Sequence, residues 1–140
     1  MPDETEFDEK AAKVHTRVLD VIEGYEELAR RAEPDLEPLA RRMLALHRAH
    51  HEQLHVLLEA RGHPPDDKGS FMGVMQRNVM RVRSWVDDMD RDLVPNIRMG
   101  ERQLMELYDE ALAAAPAGER DRATLEAQRA ALAEEVTRMG

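Results

Sequence analysis

The sequence has no cysteine and few aromatic residues, and both shortages limit what the protein can do. Without cysteine in its 140 residues, the chain has no disulfide, thiolate nucleophile or iron–sulfur ligand. A metal bound by this chain is therefore held by histidine and carboxylate side chains, which suit iron, manganese or zinc. Aromatic residues make up 4% and charged residues 35% of the chain, a balance typical of helices with one solvent-facing side.

Basic residues are outnumbered by acidic ones, and long apolar runs are missing. The net charge of −9 repels nucleic acid and anionic lipid, so we expect neither as a partner. No apolar stretch approaches the roughly 18 residues that a membrane span needs. The opening residues Met1-Pro2-Asp3-Glu4 lack the basic and apolar parts of a secretory signal. We therefore expect a cytoplasmic protein.

Proline and glycine residues divide the chain into helical stretches. We expect one domain over residues 1–140, with a short amphipathic helix at 70–86 inside a crossover segment at 68–88. Pro95 is expected either to kink the third long helix or to open its regular part. The four long helices are expected at about 6–31, 34–61, 90–115 and 119–139.

Each long stretch has core positions every seven residues, in two series offset by four, as in the seam of a helical bundle. Four such segments with short connections predict an all-α, antiparallel four-helix bundle. The seams comprise Phe7, Ala11, Val14, Val18, Val21, Tyr25 and Leu28; Leu36, Ala40, Met43, His47, His50, Leu54 and Leu57; Ile97, Glu101, Leu104, Tyr108, Ala111 and Ala115; Leu125, Gln128, Leu132, Glu135 and Met139.

Ionisable side chains interrupt the apolar seams of the second and third helices. His47 and His50 occupy successive core positions, Glu101 occupies one in the third helix, and His51 lies beside the seam. At spacings of three and four residues, the three histidines share one helix face. An unpaired charge in a core costs several kcal/mol. We therefore expect Glu101 to pair with His47 or His50 across the bundle.

Two interpretations of this polar group remain open. Imidazoles at positions i and i+3, facing a carboxylate on another helix, are how bundles build metal centres. The alternative is a hydrogen-bonded cluster that fixes helix register, as a buried Asn does in a coiled coil. No catalytic residue is expected, and the only cofactor considered is one iron, manganese or zinc ion. Its candidate ligands are His47, His50, His51 and Glu101.

The same seam pattern assigns the other notable polar side chains to core, flanking or surface positions. Tyr25 and Tyr108 lie on seams, where their hydroxyl groups can extend the polar group. Glu52 and His55 lie away from the seam and are expected at the surface. His15 flanks the seam of the first helix and is expected to be solvated or half-buried.

Five short motifs, spread over about residues 13–136, carry a family resemblance: Glu23-Gly24-Tyr25, Leu57 to Gly62, Gly69-Ser70 before Phe71, Gly100-Glu101 and Tyr108 to Leu112. Together they resemble a bacterial ferritin-like four-helix-bundle family that is labelled a domain of unknown function. The resemblance implies a ferritin-like fold.

Metal-binding ferritin-like proteins take a Glu from each of two helices and a Glu-x-x-His from each of two others. In this sequence His47 stands where that pattern has Glu, ahead of His50, and the fourth helix has no histidine. Glu101 is kept in the third helix. The resemblance therefore implies a one-metal site or a vestigial polar core rather than an intact di-iron centre.

The expected function is that of a non-catalytic bundle acting in assembly or stress physiology, the stress part resting on superfamily analogy alone. The alternative is a ferritin-like metalloprotein that binds one iron, manganese or zinc ion through His47, His50 and Glu101. Whether the protein has a small-molecule substrate is unknown from the sequence.

Residues 70–86 are expected either to cap the bundle or to mediate self-association, because methionine-rich helix faces adapt to partners. We predict self-association. Replacing Met75 and Val79 on the apolar face by Glu should reduce the oligomer mass measured by size-exclusion chromatography. An unchanged mass would remove this segment from the interface.

Overall fold

The computed structural model describes residues 4–31, 34–64 and 93–139. Within these ranges the regular elements are four α-helices and no strand, which confirms the all-helical prediction. The predicted helix at 70–86 lies outside the described residues. The helices are α1 (Glu4–Arg31), α2 (Glu37–Ala60), α3 (Leu93–Ala114) and α4 (Arg122–Met139).

Proline and glycine mark helix ends as their backbone preferences require. Pro38 lies in the first turn of α2, where its missing N–H costs no hydrogen bond. Gly62 ends that helix in the left-handed region with φ of +75°, and the His63 N–H then donates to the Leu58 carbonyl at 3.0 Å. Pro95 lies in the first turn of α3, a position where proline is tolerated.

The heptad seams of all four helices face the core. Val18, Leu54, Leu104 and Leu132 represent the four helices and are each 0% exposed. Burying an aliphatic side chain of this size stabilises the fold by about 1.5–3 kcal/mol. Seam burial is therefore the main source of stability, and α1 packs against α2 and α3 while α3 packs against α4.

No helix in the described part of the chain is long and apolar enough to cross a membrane.

Arg61, which directly follows α2, forms ion pairs with residues from other parts of the helix assembly. Its guanidinium group contacts Asp8 of α1, Glu119 at 2.7 Å and Asp121 at 2.9 Å, and it lies 4.8 Å above the ring of Phe7. Burial alone would lower the pKa of Arg61, but hydrogen bonds to the three carboxylates raise it above its usual value. This cation therefore joins α1, α2 and the α3–α4 connection.

Replacing Arg61 by Gln should lower the free energy of unfolding by about 3–5 kcal/mol, because it leaves acidic groups close together without their buried cation. Urea denaturation measures the change. Arg41→Gln is the matched control, because Arg41 forms an exposed pair with Glu37 and should change stability by less than about 0.5 kcal/mol. Equal effects of the two substitutions would refute the role assigned to Arg61.

Candidate functional site

The carboxylate of Glu101 lies in the core, where its side chain is 1% exposed. Its Oε1 atom accepts a hydrogen bond from the hydroxyl group of Tyr25 at 2.6 Å and lies 2.7 Å from Nε2 of His47. Hydrogen bonds to an ionised acceptor are about twice as strong as neutral ones. One oxygen of α3 thereby joins α1 and α2, and the predicted pairing of Glu101 with His47 is confirmed.

The rings of Tyr25 and His50 both lie next to the ring of His47. The Tyr25 ring stacks on His47 with centroids 5.6 Å apart and planes 16° from parallel. His50, one turn further along α2, presents its ring nearly perpendicular to His47 at 6.3 Å. We call Tyr25, His47, His50 and Glu101 the core polar cluster.

Three atoms of the core polar cluster are buried without a hydrogen-bond partner in the described part of the chain. They are Oε2 of Glu101, Nδ1 of His47 and Nδ1 of His50. Leaving a buried polar atom unpaired costs about 1–3 kcal/mol, and such atoms are commonly satisfied by an enclosed water or an ion. Oε2 of Glu101 carries lone pairs of the type that transition metals bind, and each Nδ1 does so in the tautomer that has its proton on Nε2.

Burial changes the protonation behaviour of the cluster. The pKa of His50 falls to about 4, chiefly because burial disfavours the imidazolium and also because the imidazole of His47 is close; the charge of Glu101 opposes this shift. The pKa of Tyr25 rises well above its usual value through burial and then through the charge and hydrogen bond of Glu101. At neutral pH both side chains are therefore uncharged.

A second polar contact links α3, α4 and α2 beside this cluster. The hydroxyl group of Tyr108 donates to Oε1 of Gln128 at 2.7 Å. The amide nitrogen of Gln128 donates to Oε1 of Gln53 at 2.9 Å and to the carbonyl of His50 at 3.4 Å. The two seam tyrosines thus belong to different polar groups, because Tyr25 donates a hydrogen bond to Glu101 and Tyr108 donates one to Gln128.

The predicted metal ligands divide into two places. His47, His50 and Glu101 come together in the core, whereas the ring of His51 lies against His15 of α1 with centroids 4.5 Å apart. Within residues 4–31, 34–64 and 93–139, no three His, Asp or Glu side chains are positioned to hold one metal ion. Metal binding at the four predicted ligands stays a prediction.

The sequence-based assignment of His15, His51 and His55 missed their proximity. His15 is 2% exposed rather than solvated or half-buried, and its ring lies 6.0 Å from that of His55. Centroids of His51 and His55 are 6.2 Å apart. One signal was available: His51-Glu52-Gln53-Leu54-His55 has the H-E-x-x-H spacing that puts two imidazoles on one helix face.

Comparison with known proteins gives one family match. The model of a family described as a domain of unknown function (DUF2383) matches residues 9–114, a range that contains every member of the core polar cluster. This confirms the resemblance to a family of unknown function, and the description does not mention a ferritin-like fold. No curated protein and no solved structure matches the chain.

The lowered pKa of His50 predicts a loss of stability in mild acid. Between about pH 6.5 and pH 4 the unfolded chain binds a proton at His50 and the folded protein does not, so acid favours unfolding. From pH 7 to pH 5 this group should lower the free energy of unfolding by about 2 kcal/mol.

Urea denaturation in a chelating buffer at pH 7 and pH 5 measures this loss. A His50→Leu variant should show a correspondingly smaller loss, while a His63→Leu variant, changed outside the helices, should behave like the unsubstituted protein. Identical pH dependence in the His50→Leu and unsubstituted proteins would contradict the assignment.

Proposed function

Because the chain belongs to the DUF2383 family, whose description assigns no activity, we propose its function from geometry: a non-catalytic, ferritin-like four-helix bundle that acts in assembly. One observation carries this proposal. The core carboxylate of Glu101 is shared between Tyr25 of α1 and His47 of α2, so it holds helices together.

Contacts between α1 and α2 support antiparallel packing of this pair. Near the start of α1, Asp8 contacts Arg61, which directly follows α2. Near the other end of α1, Tyr25 contacts His47 in the middle of α2. Moving forward along α1 thus means moving backward along α2.

Contacts between α3 and α4 support the same arrangement. Asp109 of α3 pairs with Arg129 of α4 at 2.5 Å. Further along α3, the carbonyl of Leu112 accepts a hydrogen bond from Arg122 at the start of α4 at 3.2 Å. These two helices therefore also run in opposite directions.

The direction of α3 relative to α1 supports the ferritin-like topology. Arg17 of α1 donates to Gln103 of α3 at 3.2 Å, whereas the later Tyr25 reaches the earlier Glu101. If α2 and α3 both run opposite to α1, they run parallel to each other. Two consecutive parallel helices joined by a single long crossover are the arrangement of the ferritin-like fold.

In this proposal the core polar cluster fixes the alignment of α1, α2 and α3. A polar contact within an apolar core is satisfied in one register only, because sliding a helix by a turn buries its polar groups without partners. The assembly role relies on the predicted self-association through residues 70–86, and cytoplasmic location and any stress role stay predictions.

A second candidate function is binding of one iron, manganese or zinc ion by His47, His50 and Glu101. The unpaired buried atoms of these three residues favour it, and the low pKa of His50 keeps that ring neutral, as a ligand must be. Binding requires the side chains to rotate until their donor atoms converge on one point.

Metal analysis of untagged protein distinguishes the two functions. We expect no stoichiometric iron, manganese or zinc that depends on the core. A His47→Ala, His50→Ala double variant should be less stable by about 2–5 kcal/mol, because it leaves a cavity and removes the His47 partner of Glu101. Stoichiometric metal in the original protein that disappears in the double variant would overturn the non-catalytic proposal in favour of the second candidate.

A further inference from the structure

Three histidines outside the core polar cluster lie together where α1 packs on α2. His15 comes from α1, and His51 and His55 come from adjacent turns of α2. The three centroid separations are 4.5 Å for His15 and His51, 6.0 Å for His15 and His55, and 6.2 Å for His51 and His55. We call these residues the second histidine cluster.

We propose that the second histidine cluster binds one divalent transition-metal ion, such as zinc. Three imidazoles bound to a tetrahedral zinc ion at about 2.0–2.1 Å hold their ring centroids about 5 Å apart. The observed separations of 4.5 Å to 6.2 Å lie on both sides of that value. Nitrogen ligands suit zinc, copper and nickel, whereas magnesium and calcium prefer oxygen.

The α2 pair supplies a rigid chelating unit. Residues four apart on a helix are neighbours on one face, and two histidines at this spacing are how zinc-binding helices present imidazoles. The proposal concerns binding alone. Glu52, which lies between the two histidines in sequence, is exposed and is not assigned as a ligand.

The carboxylate of Glu59 can orient one of the rings. Its Oε1 atom lies 3.4 Å from Nε2 of His55, and a carboxylate that accepts a hydrogen bond from one imidazole nitrogen directs the other nitrogen toward a metal. We therefore assign Nδ1 of His55 to the ion. The His55 side chain is 31% exposed, so an ion can reach the cluster from solvent.

Binding requires the rings to turn. In the described part of the chain, no three ligand side chains already surround one point at metal distance. The tilt between rings is 36° for His15 and His51 and 43° for His51 and His55. Rotation about side-chain bonds must also draw the His55 ring toward the other two, because its separations of 6.0 Å and 6.2 Å exceed the value of about 5 Å for a bound triad.

This ion would not occupy the core site considered as the second candidate function. Its ligands are His15, His51 and His55, whereas the core site uses His47, His50 and Glu101. Substitutions on α2 can therefore separate the two sites, and zinc binding at the second histidine cluster is independent of whether the bundle acts in assembly.

Isothermal titration of zinc into the full, untagged, chelator-treated chain tests the proposal. We expect one zinc ion per chain and an increase in the melting temperature on binding. His51→Gln and His55→Gln should each weaken zinc binding by at least about tenfold. His63→Gln, which changes a histidine just after α2, is the matched control and should leave the affinity within about twofold.

A cobalt titration adds a direct readout of ligand geometry. Cobalt in place of zinc should give the visible absorption of a four-coordinate site, and this absorption should decrease in His51→Gln and His55→Gln, with far-UV circular dichroism checking that both variants fold. Absence of zinc binding, equal affinity in these variants and the unsubstituted chain, or loss of binding only in a His47→Ala, His50→Ala variant would each overturn the proposal.

Discussion

The arrangement of α1, α2 and α3 depends on how the buried charge of Glu101 is satisfied. A carboxylate removed from water loses several kcal/mol of solvation unless hydrogen-bond donors replace it. Tyr25 and His47 come from two other helices and reach the same oxygen. Apolar seams tolerate small shifts between helices, but this contact does not, because its donors and acceptor must remain within hydrogen-bond distance.

Two other polar contacts complement this one at different positions in the helix assembly. Gln128 joins α4 to Tyr108 of α3 and to Gln53 of α2. At the end of α2, Arg61 joins α1 and the α3–α4 connection. The apolar seams therefore supply most of the stability, while a small number of polar side chains specify which helices meet and in what register.

Sequence periodicity predicted the helices and their buried faces well, because a seam repeats along each helix and needs no knowledge of its neighbours. It also predicted that Glu101 must find a histidine, since burial makes a partner necessary. It could not predict that His51 lies against His15, because periodicity assigns a residue to a face without showing which helix covers that face. The Arg61 contacts were missed for a related reason. The connection between α3 and α4 places Asp121 beside Arg61, and a heptad repeat carries no information about the path of a connection.

A double-mutant cycle between Tyr25→Phe and Glu101→Gln tests the central contact most directly. Tyr25→Phe removes the donor, and Glu101→Gln removes the negative charge while keeping an oxygen acceptor, so the effects on the free energy of unfolding should be non-additive. The account predicts a coupling of at least about 1 kcal/mol between the hydroxyl group and the carboxylate. Additive effects of the two substitutions would show that Tyr25 does not stabilise the Glu101 charge and would contradict the account.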